Sequence, residues 1–479
     1  MLACLAAAGC RDAYPPSPAP LDRFYYPAGM AVHPTSTGSA LVVVSTDFDL
    51  QYDVNSGGSV ISVDPDASDD TLDTGVLAVI GTPVIIGSFG GEVAIAEASC
   101  TTGWPGCGAA CPALGSQVQG GNGLLVTTSR NEVVVYTMGI DSTGALFCGE
   151  GCATIPLPTN TLDPYGVTLV CGTSSSGTAT AYVSELRANN GEGILGRFDL
   201  NAPGTFDTLD LASPETYTSA FDPASGLVFV GTQVGTTQPL RWITPLLLPA
   251  VSADATWAPE VGQIDLSTYL AGTLTLDLAV SNDGTRLYAA LEQLDTTLLP
   301  QGAVVPQGGL LAVFDLTPDV FGQPGMGLIR AVNTCLGGGQ VRVLPGRENK
   351  RDLVALTCDT QGALVLYDDD VGKVVSLIGL DAGTGQPLLG RQPYGLAVEP
   401  IDPHRAVNAE GIGSPFNPSQ TTSNYSLPLY QPSPCTLEGQ CVRLYVASFA
   451  QSFVSLVELD PAHPEGMQLV KRIGIESAQ

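Results

Sequence analysis

Pro27-Ala28-Gly29-Met30-Ala31-Val32, Pro164-Tyr165-Gly166-Val167-Thr168-Leu169 and Pro393-Tyr394-Gly395-Leu396-Ala397-Val398 open three segments of the chain in the same way. Each continues as an apolar strand, a turn, and a second strand that ends in an acid. A unit recurring at this scale cannot bury its apolar faces alone and must stack on its neighbours. Worked outward from these three starts, seven units of four short strands, A to D, cover residues 29–475. Unit one is read as 29–34, 40–46, 59–64 and 83–89, and unit two as 92–98, 123–129, 132–138 and 153–157. Unit three is read as 165–170, 178–186, 194–200 and 207–211, and unit four as 218–223, 227–233, 239–246 and 262–267. Units five to seven begin at 276, 339 and 394 and end at 334, 380 and 475.

The strands are apolar runs rich in β-branched and aromatic residues, bounded by Gly, Pro, Asp and Asn. Asn282-Asp283-Gly284 supplies residues that accept positive φ between strands A and B of unit five. Asp64, Asp199, Asp315, Asp368 and Asp460 end strand C, where a carboxylate accepts amides of the following turn, so they read as turn formers. So many strands exceed one open sheet; radial repetition closes them into a circle. The expectation is an all-β chain, a seven-bladed β-propeller of four-stranded antiparallel blades. Unit four fits least, with Trp242 in strand C and no terminal Asp, so six or eight blades stay open. Arg23 to Tyr26 are expected to add an edge strand beside the last blade.

The segments resemble the YVTN-type and lactonase-like repeats of exported bacterial propellers, over about residues 23 to 475. Arg443-Leu444-Tyr445-Val446-Ala447-Ser448 and Arg286-Leu287-Tyr288-Ala289-Ala290 carry the resemblance, although the tetrapeptide YVTN is absent. It implies the propeller fold and, as an alternative function, a lactonase-like hydrolase working in the central funnel.

Composition narrows the function classes. The chain has 18 basic and 47 acidic side chains, a formal net charge of −29, which argues against nucleic-acid binding because phosphate affinity comes from Lys and Arg. At 44% hydrophobic residues the chain has enough apolar surface for a large core. No window approaches the roughly 20 apolar residues of a spanning helix.

The chain opens MLACLAAAGCRDAYPPSPAP. Ala7-Ala8-Gly9-Cys10 resembles a bacterial lipobox, so residues 1–9 read as a truncated lipoprotein signal with a start expected upstream. Cys10 is the lipidation candidate, and residues 10–22 form a Pro-rich tether. The domain then runs over 23–479, with insertions at 99–122 and 401–442. The expected address is the bacterial cell envelope, as an outer-membrane lipoprotein.

Twelve Cys fit an oxidising compartment. Cys335 and Cys358 reach the same face and are expected to pair; Cys435 and Cys441 share one insertion and are expected to pair locally. Cys100, Cys107, Cys111, Cys148, Cys152 and Cys171 belong to the opposite face, with pairings left open. Their spacing lacks the paired C-x₂-C signature of zinc sites.

Chemistry on a propeller is argued from its site. The ends of strand B aim at the funnel and give Asp47, Glu185, Gln233, Glu292 and Asp359, with Asp49, Asp53, Arg187, Asn189 and Asn190 on the rim. Such a ring of carboxylates offers oxygen ligands for Ca²⁺ or a cationic ligand, the alternative being a solvated acidic rim. Asp64, Asp66, Ser68, Asp69 and Asp70 lack the Gly and closing Glu of an EF-hand and read as an exposed acidic loop. His33, His404 and His463 have no partners at metal spacing, and neither a nucleophile elbow nor a P-loop occurs. Tyr425 and Tyr430, in the 401–442 insertion, offer adaptable partner contacts. The expectation is therefore a non-catalytic, monomeric binding or scaffold protein without a cofactor, taking an envelope protein or small ligand as partner.

Overall fold

The structure is a computed structural model. It describes residues 17–52, 55–68, 77–97, 123–130, 132–148, 153–158, 161–171, 179–188, 193–200, 206–210, 215–233, 242–247, 264–265, 273–295, 305–319, 325–406 and 433–474. Cys10, Asp53, Asp69, Asp70, Tyr425, Tyr430, Asn189 and Asn190 lie outside these residues.

Blade one is β1 (Pro27–Pro34), β2 (Ser39–Ser45), β3 (Gly58–Val63) and β4 (Val84–Ile86). Blade two is β5 (Gly90–Glu97), β6 (Gly123–Ser129), β7 (Val134–Ile140), β8 (Leu146–Phe147) and β9 (Ala153–Pro156). Blade three is β10 (Thr161–Cys171), β11 (Ala179–Ala188), β12 (Ile194–Asp199) and β13 (Phe206–Asp210); blade four is β14 (Glu215–Asp222), β15 (Leu227–Gln233), β16 (Trp242–Leu247) and β17 (Ile264–Asp265). Blade five is β18 (Thr273–Val280), β19 (Arg286–Asp295), β20 (Val305–Asp315) and β21 (Leu328–Asn333). Blade six is β22 (Gly338–Val343), β23 (Leu353–Cys358), β24 (Ala363–Asp368) and β25 (Lys373–Ile378); the last is β26 (Pro393–Ile401), β27 (Cys441–Ser448), β28 (Phe453–Leu459) and β29 (Gln468–Ile473).

Six sheets are four-stranded antiparallel meanders and one has five strands. The expectation of seven four-stranded blades is corrected to six. In blade two the fourth position is divided: Leu146–Phe147 pair with the end of β7, and Ala153–Pro156 pair with its start. The division follows from a tight turn at Asp141, whose carboxylate accepts the Thr143 and Ala145 amides, with Gly144 at φ 87°. The innermost strands touch in the order β1, β5, β10, β14, β18, β22, β26, and β26 returns to β1.

The apolar runs lack strand alternation because both faces of each sheet are covered. Leu41 and Val43 pack with Tyr445, Leu456 and Ile473 of the last blade, while Val42 and Val44 pack with Leu125 and Tyr136 of blade two. The core therefore lies between neighbouring sheets. Phe24 does not extend the sheet: residues 23–26 form no strand, and the Phe24 ring is tucked into the cluster between the last blade and blade one.

Four of the five turn acids behave as expected. Asp64 accepts the Asp66 and Ala67 amides, Asp315 that of Thr317, Asp368 that of Asp370 and Asp460 that of Ala462. Asp66 is exposed, as expected, with 38% of its side chain accessible. It also closes the ring, accepting from Arg443 at 2.7 Å and from Arg405 at 2.9 Å, both of which follow the innermost strand of the last blade.

Both expected disulfides are present: Cys335–Cys358 with 5.9 Å between Cα atoms, and Cys435–Cys441 with 5.4 Å. Cys148 and Cys171 are also disulfide-bonded. Replacing Cys335 and Cys358 together by Ser is expected to lower unfolding free energy by about 2–4 kcal/mol. Denaturant titration under oxidising conditions reads it, and an unchanged midpoint contradicts it.

Candidate functional site

All seven innermost strands carry a bulge near their funnel end, for example between Pro27 and Gly29 or Pro393 and Leu396. The glycine there is required by close approach. A Cβ on Gly29 would lie 2.5 Å from the Gly91 carbonyl oxygen, and one on Gly395 would lie 2.6 Å from that of Ala28. This is the physical content of the Pro-x-Gly start. At the same corner the backbone turns left-handed on side chains that resist it: Tyr26 (φ 42°), Phe89 (φ 58°), Asp163 (φ 61°) and Gln392 (φ 53°). Such residues cost about 1–3 kcal/mol each and persist where the surroundings hold them, often at functional sites.

These corners and the ends of strand B form a cavity of about 250 Å³ at the funnel mouth. Its walls are Phe48, Phe89, Phe449, Tyr165 and Tyr394, with Arg130, Asp359 and Gln392 among them. Phe48 stands edge-on to Phe449 at 5.3 Å and to Phe89 at 6.1 Å, and Tyr165 meets Tyr394 at 6.0 Å. Phe48 is 55% exposed. Arg130 is held by Asp163 at 3.1 Å.

Below the mouth the channel is closed by polar groups from opposite blades. Asp277 accepts from Arg342 at 2.6 Å, from the Thr218 hydroxyl at 2.8 Å and from the Val341 amide at 2.8 Å. Glu92 accepts from Gln340 at 2.7 Å and faces Arg342 at 3.7 Å. Gln340 also accepts the Leu396 amide. The space left here is about 10 Å³. Burial and the Asp277 charge push the Glu92 carboxyl up to about 7, against the pull of Arg342. On the far side the channel widens again between Met30, Val32, Ile95, Leu169 and Val398.

Of the residues expected at the funnel, Asp359 lines the mouth. Asp47 is fully buried, its carboxylate accepting the Gln51 and Tyr52 amides and the Ser88 hydroxyl, so it shapes the first B→C loop. Asp49 accepts from Tyr25 at 2.6 Å and Gln51 at 2.6 Å. Burial, then the Asp359 charge, raise the Glu292 carboxyl. Glu185 and Arg187 lie on β11 opposite Pro164 and Leu162; their side chains, and that of Gln233, lie outside the described residues. His33 is buried between Glu97 at 2.8 Å and the Asp141 carbonyl at 2.9 Å. Cys435, Cys441 and Glu458 are near enough to share a metal, but the two sulfurs are bonded to each other and Glu458 accepts from Arg443.

The aromatic walls were missed in the sequence. Their signal was positional: Phe48 and Phe449 follow strand B in Thr46-Asp47-Phe48 and Ala447-Ser448-Phe449, and Phe89 precedes strand A.

No family model matches the chain, and no curated protein does. Among solved structures, hydrazine synthase of Kuenenia stuttgartiensis aligns with a TM-score of 0.51 at 11% identity, covering 95% of this chain and 100% of that one. The fold is a β-propeller. At this identity the likeness extends to the fold alone. A structural-genomics protein from Lactobacillus plantarum (TM-score 0.43, 14% identity, 75% and 82% coverage) is also similar. So is apo AztD from Citrobacter koseri (0.39, 11%, 93% and 86%).

The left-handed corner makes a prediction about the propeller. Phe89→Gly removes a strained φ and a half-buried ring together, two effects that nearly offset, so stability should change by less than about 1 kcal/mol. Denaturant midpoints check this. A loss several-fold larger would mean that the ring is held for packing.

Proposed function

We propose that this propeller is a non-catalytic binding protein, exported and held at the bacterial cell envelope by a lipid on Cys10. It takes an apolar or aromatic element of its ligand into the funnel mouth. The observation that carries the reading is the convergence of Phe48, Phe89 and Phe449 on a concave, solvent-open site at the ring axis. Burying such a side chain is worth about 1.5–3 kcal/mol, and aromatic anchors in a pocket dominate binding energies. Arg130, Asp359 and Gln392 supply polar groups among the rings, the usual division of labour in a ligand pocket.

The reading needs no cofactor. Ca²⁺ remains the ion to test at Glu292 and Asp359, where Glu292→Ala should lower any bound calcium measured by metal analysis. The lactonase-like alternative draws no support from the mouth, whose described lining contains no Ser, Cys, His or Lys.

The experiment is a native pull-down of the tagged, full-length protein from the producing cell's envelope, beside the Phe48→Ala/Phe449→Ala double variant. A stoichiometric partner captured by the parent and reduced at least about tenfold in the variant is expected. Equal capture by both, or none by the parent, overturns the mouth as the binding site. The mass of the mature amino terminus, with or without lipid on Cys10, tests the anchor.

A further inference from the structure

Between blades five and six, away from the mouth, lies a cavity of about 240 Å³. The Tyr288 phenol lines it, fully buried, and its hydroxyl has no hydrogen-bond partner among the described residues. Two buried carboxylates flank it. Among the described residues Asp352 accepts only from neutral donors, the Asn282 amide at 3.3 Å and its Nδ2 at 2.7 Å. Asp369 accepts the Tyr367 hydroxyl at 3.0 Å on one oxygen; the other is buried without a hydrogen bond, 3.7 Å from the Arg351 guanidinium. Buried polar groups left short of partners are uncommon and costly, and each calls for a reason.

The chain contains a filled version of this site. Tyr445 holds in the last blade the place that Tyr288 holds in blade five: Ala397 pairs with Tyr445 as Ala279 pairs with Tyr288. Two residues earlier, Arg443 pairs with Glu458 as Arg286 does with Asp315. Between the last blade and blade one, Tyr445 donates to Glu399, and the Arg405 guanidinium sits between Glu399 at 2.7 Å and Asp66 at 2.8 Å. The next blade contributes an acid in both cases, Asp66 after β3 and Asp369 after β24. In blade five the position of Glu399 is Ser281, whose hydroxyl donates to Asp283. Among the described residues no arginine takes the inner place that Arg405 takes; Arg351, with a side chain 48% exposed, stands at the edge.

We propose that the cavity between blades five and six binds a small molecule with a guanidinium group at one end and a carboxylate at the other. The guanidinium takes the place between Asp352, Asp369 and the Tyr288 hydroxyl. The carboxylate meets Lys350 and Arg351 at the opening, where Lys350 is exposed and has no ion pair among the described residues. The other two cations of the lining are already neutralised, Arg286 by Asp315 at 2.6 Å and Arg347 by Asp368 at 2.7 Å. A planar guanidinium matches carboxylates that a point charge matches less well.

Isothermal titration of the full-length protein tests this with L-arginine, agmatine, which lacks the carboxylate, and citrulline, which lacks the charge. L-arginine should bind, agmatine about tenfold more weakly and citrulline not at all. Tyr288→Phe should weaken L-arginine about tenfold and Asp369→Asn should abolish it. Lys350→Ala, on the surface and harmless to folding, should weaken L-arginine toward the level of agmatine and should not weaken agmatine. No heat with L-arginine up to millimolar concentration overturns the proposal. Equal binding of citrulline, or titrations unaltered in Tyr288→Phe and Lys350→Ala, overturns it too.

Discussion

Arg443→Met is expected to cost about 3–5 kcal/mol of stability, the largest loss foreseen for one side chain. Arg443 is fully buried and donates to Glu458 at 2.8 Å and to Asp66 at 2.7 Å, with Glu399 at 3.9 Å. Burial opposes its charge, but Tyr445, Glu458, Glu399 and Asp66 together hold its proton well above the ordinary arginine range. Removing it takes from Glu458 its 2.8 Å guanidinium partner and leaves Glu399 with Arg405, inside the seam where the ring closes. Equilibrium denaturation measures the loss. A change under about 1 kcal/mol would show that the seam is held by its apolar cluster instead. The seam also sets an acid limit. Against the opposing effect of burial, Arg443 and Arg405 hold the Asp66 carboxyl below its ordinary value of 3.8. A depressed carboxyl contributes stability that is present above its unfolded value and is lost as pH falls through the folded one. The seam should therefore weaken below about pH 4.

Glu92→Gln should act in the opposite direction and flatten a pH dependence. The Glu92 carboxyl is raised from 4.5 to about 7, first by burial and then by Asp277. Between these values the folded chain holds a proton that the unfolded chain has released. Stability therefore falls as pH rises through that window and levels off above it. Gln keeps an oxygen for the Gln340 amide and never ionises. At pH 8 the variant should be more stable than the parent by about 2–3 kcal/mol, with the two equal near pH 4. Denaturant titrations at pH 4.5, 6 and 8 decide it; a constant difference across that range would place the Glu92 proton elsewhere.

Much of the ring was legible because strand signals are local. ALVVV at 40–44 and LLAVFDL at 310–316 are apolar without alternation, which marks strands covered on both faces. Asp64, Asp315, Asp368 and Asp460 announced their turns, and loop faces alone placed Cys335 beside Cys358. Blade two escaped this reading because Leu146-Phe147 is too short to register as a strand; only its pairing with β7 shows it. The carboxylates expected around the funnel were legible as residues but not as partners. Asp47 is taken by its own loop, and that depends on amides four and five residues on, turned toward it by the fold.

The sequence by itself determined the repeat, the strands, the turn acids, two disulfides and the glycines that let inner strands approach. Each depends on residues near in the chain or on a pattern copied from unit to unit. Only the tertiary structure decided what meets across the ring: Glu92 with Gln340, Arg443 with Asp66, and phenyl rings of the first and last blades around one mouth. Those meetings join residues hundreds of positions apart, and circular closure brings them together only after every blade has packed on the next. Charge and aromaticity are visible in a sequence, but the partner that gives each its energy is fixed by position in space.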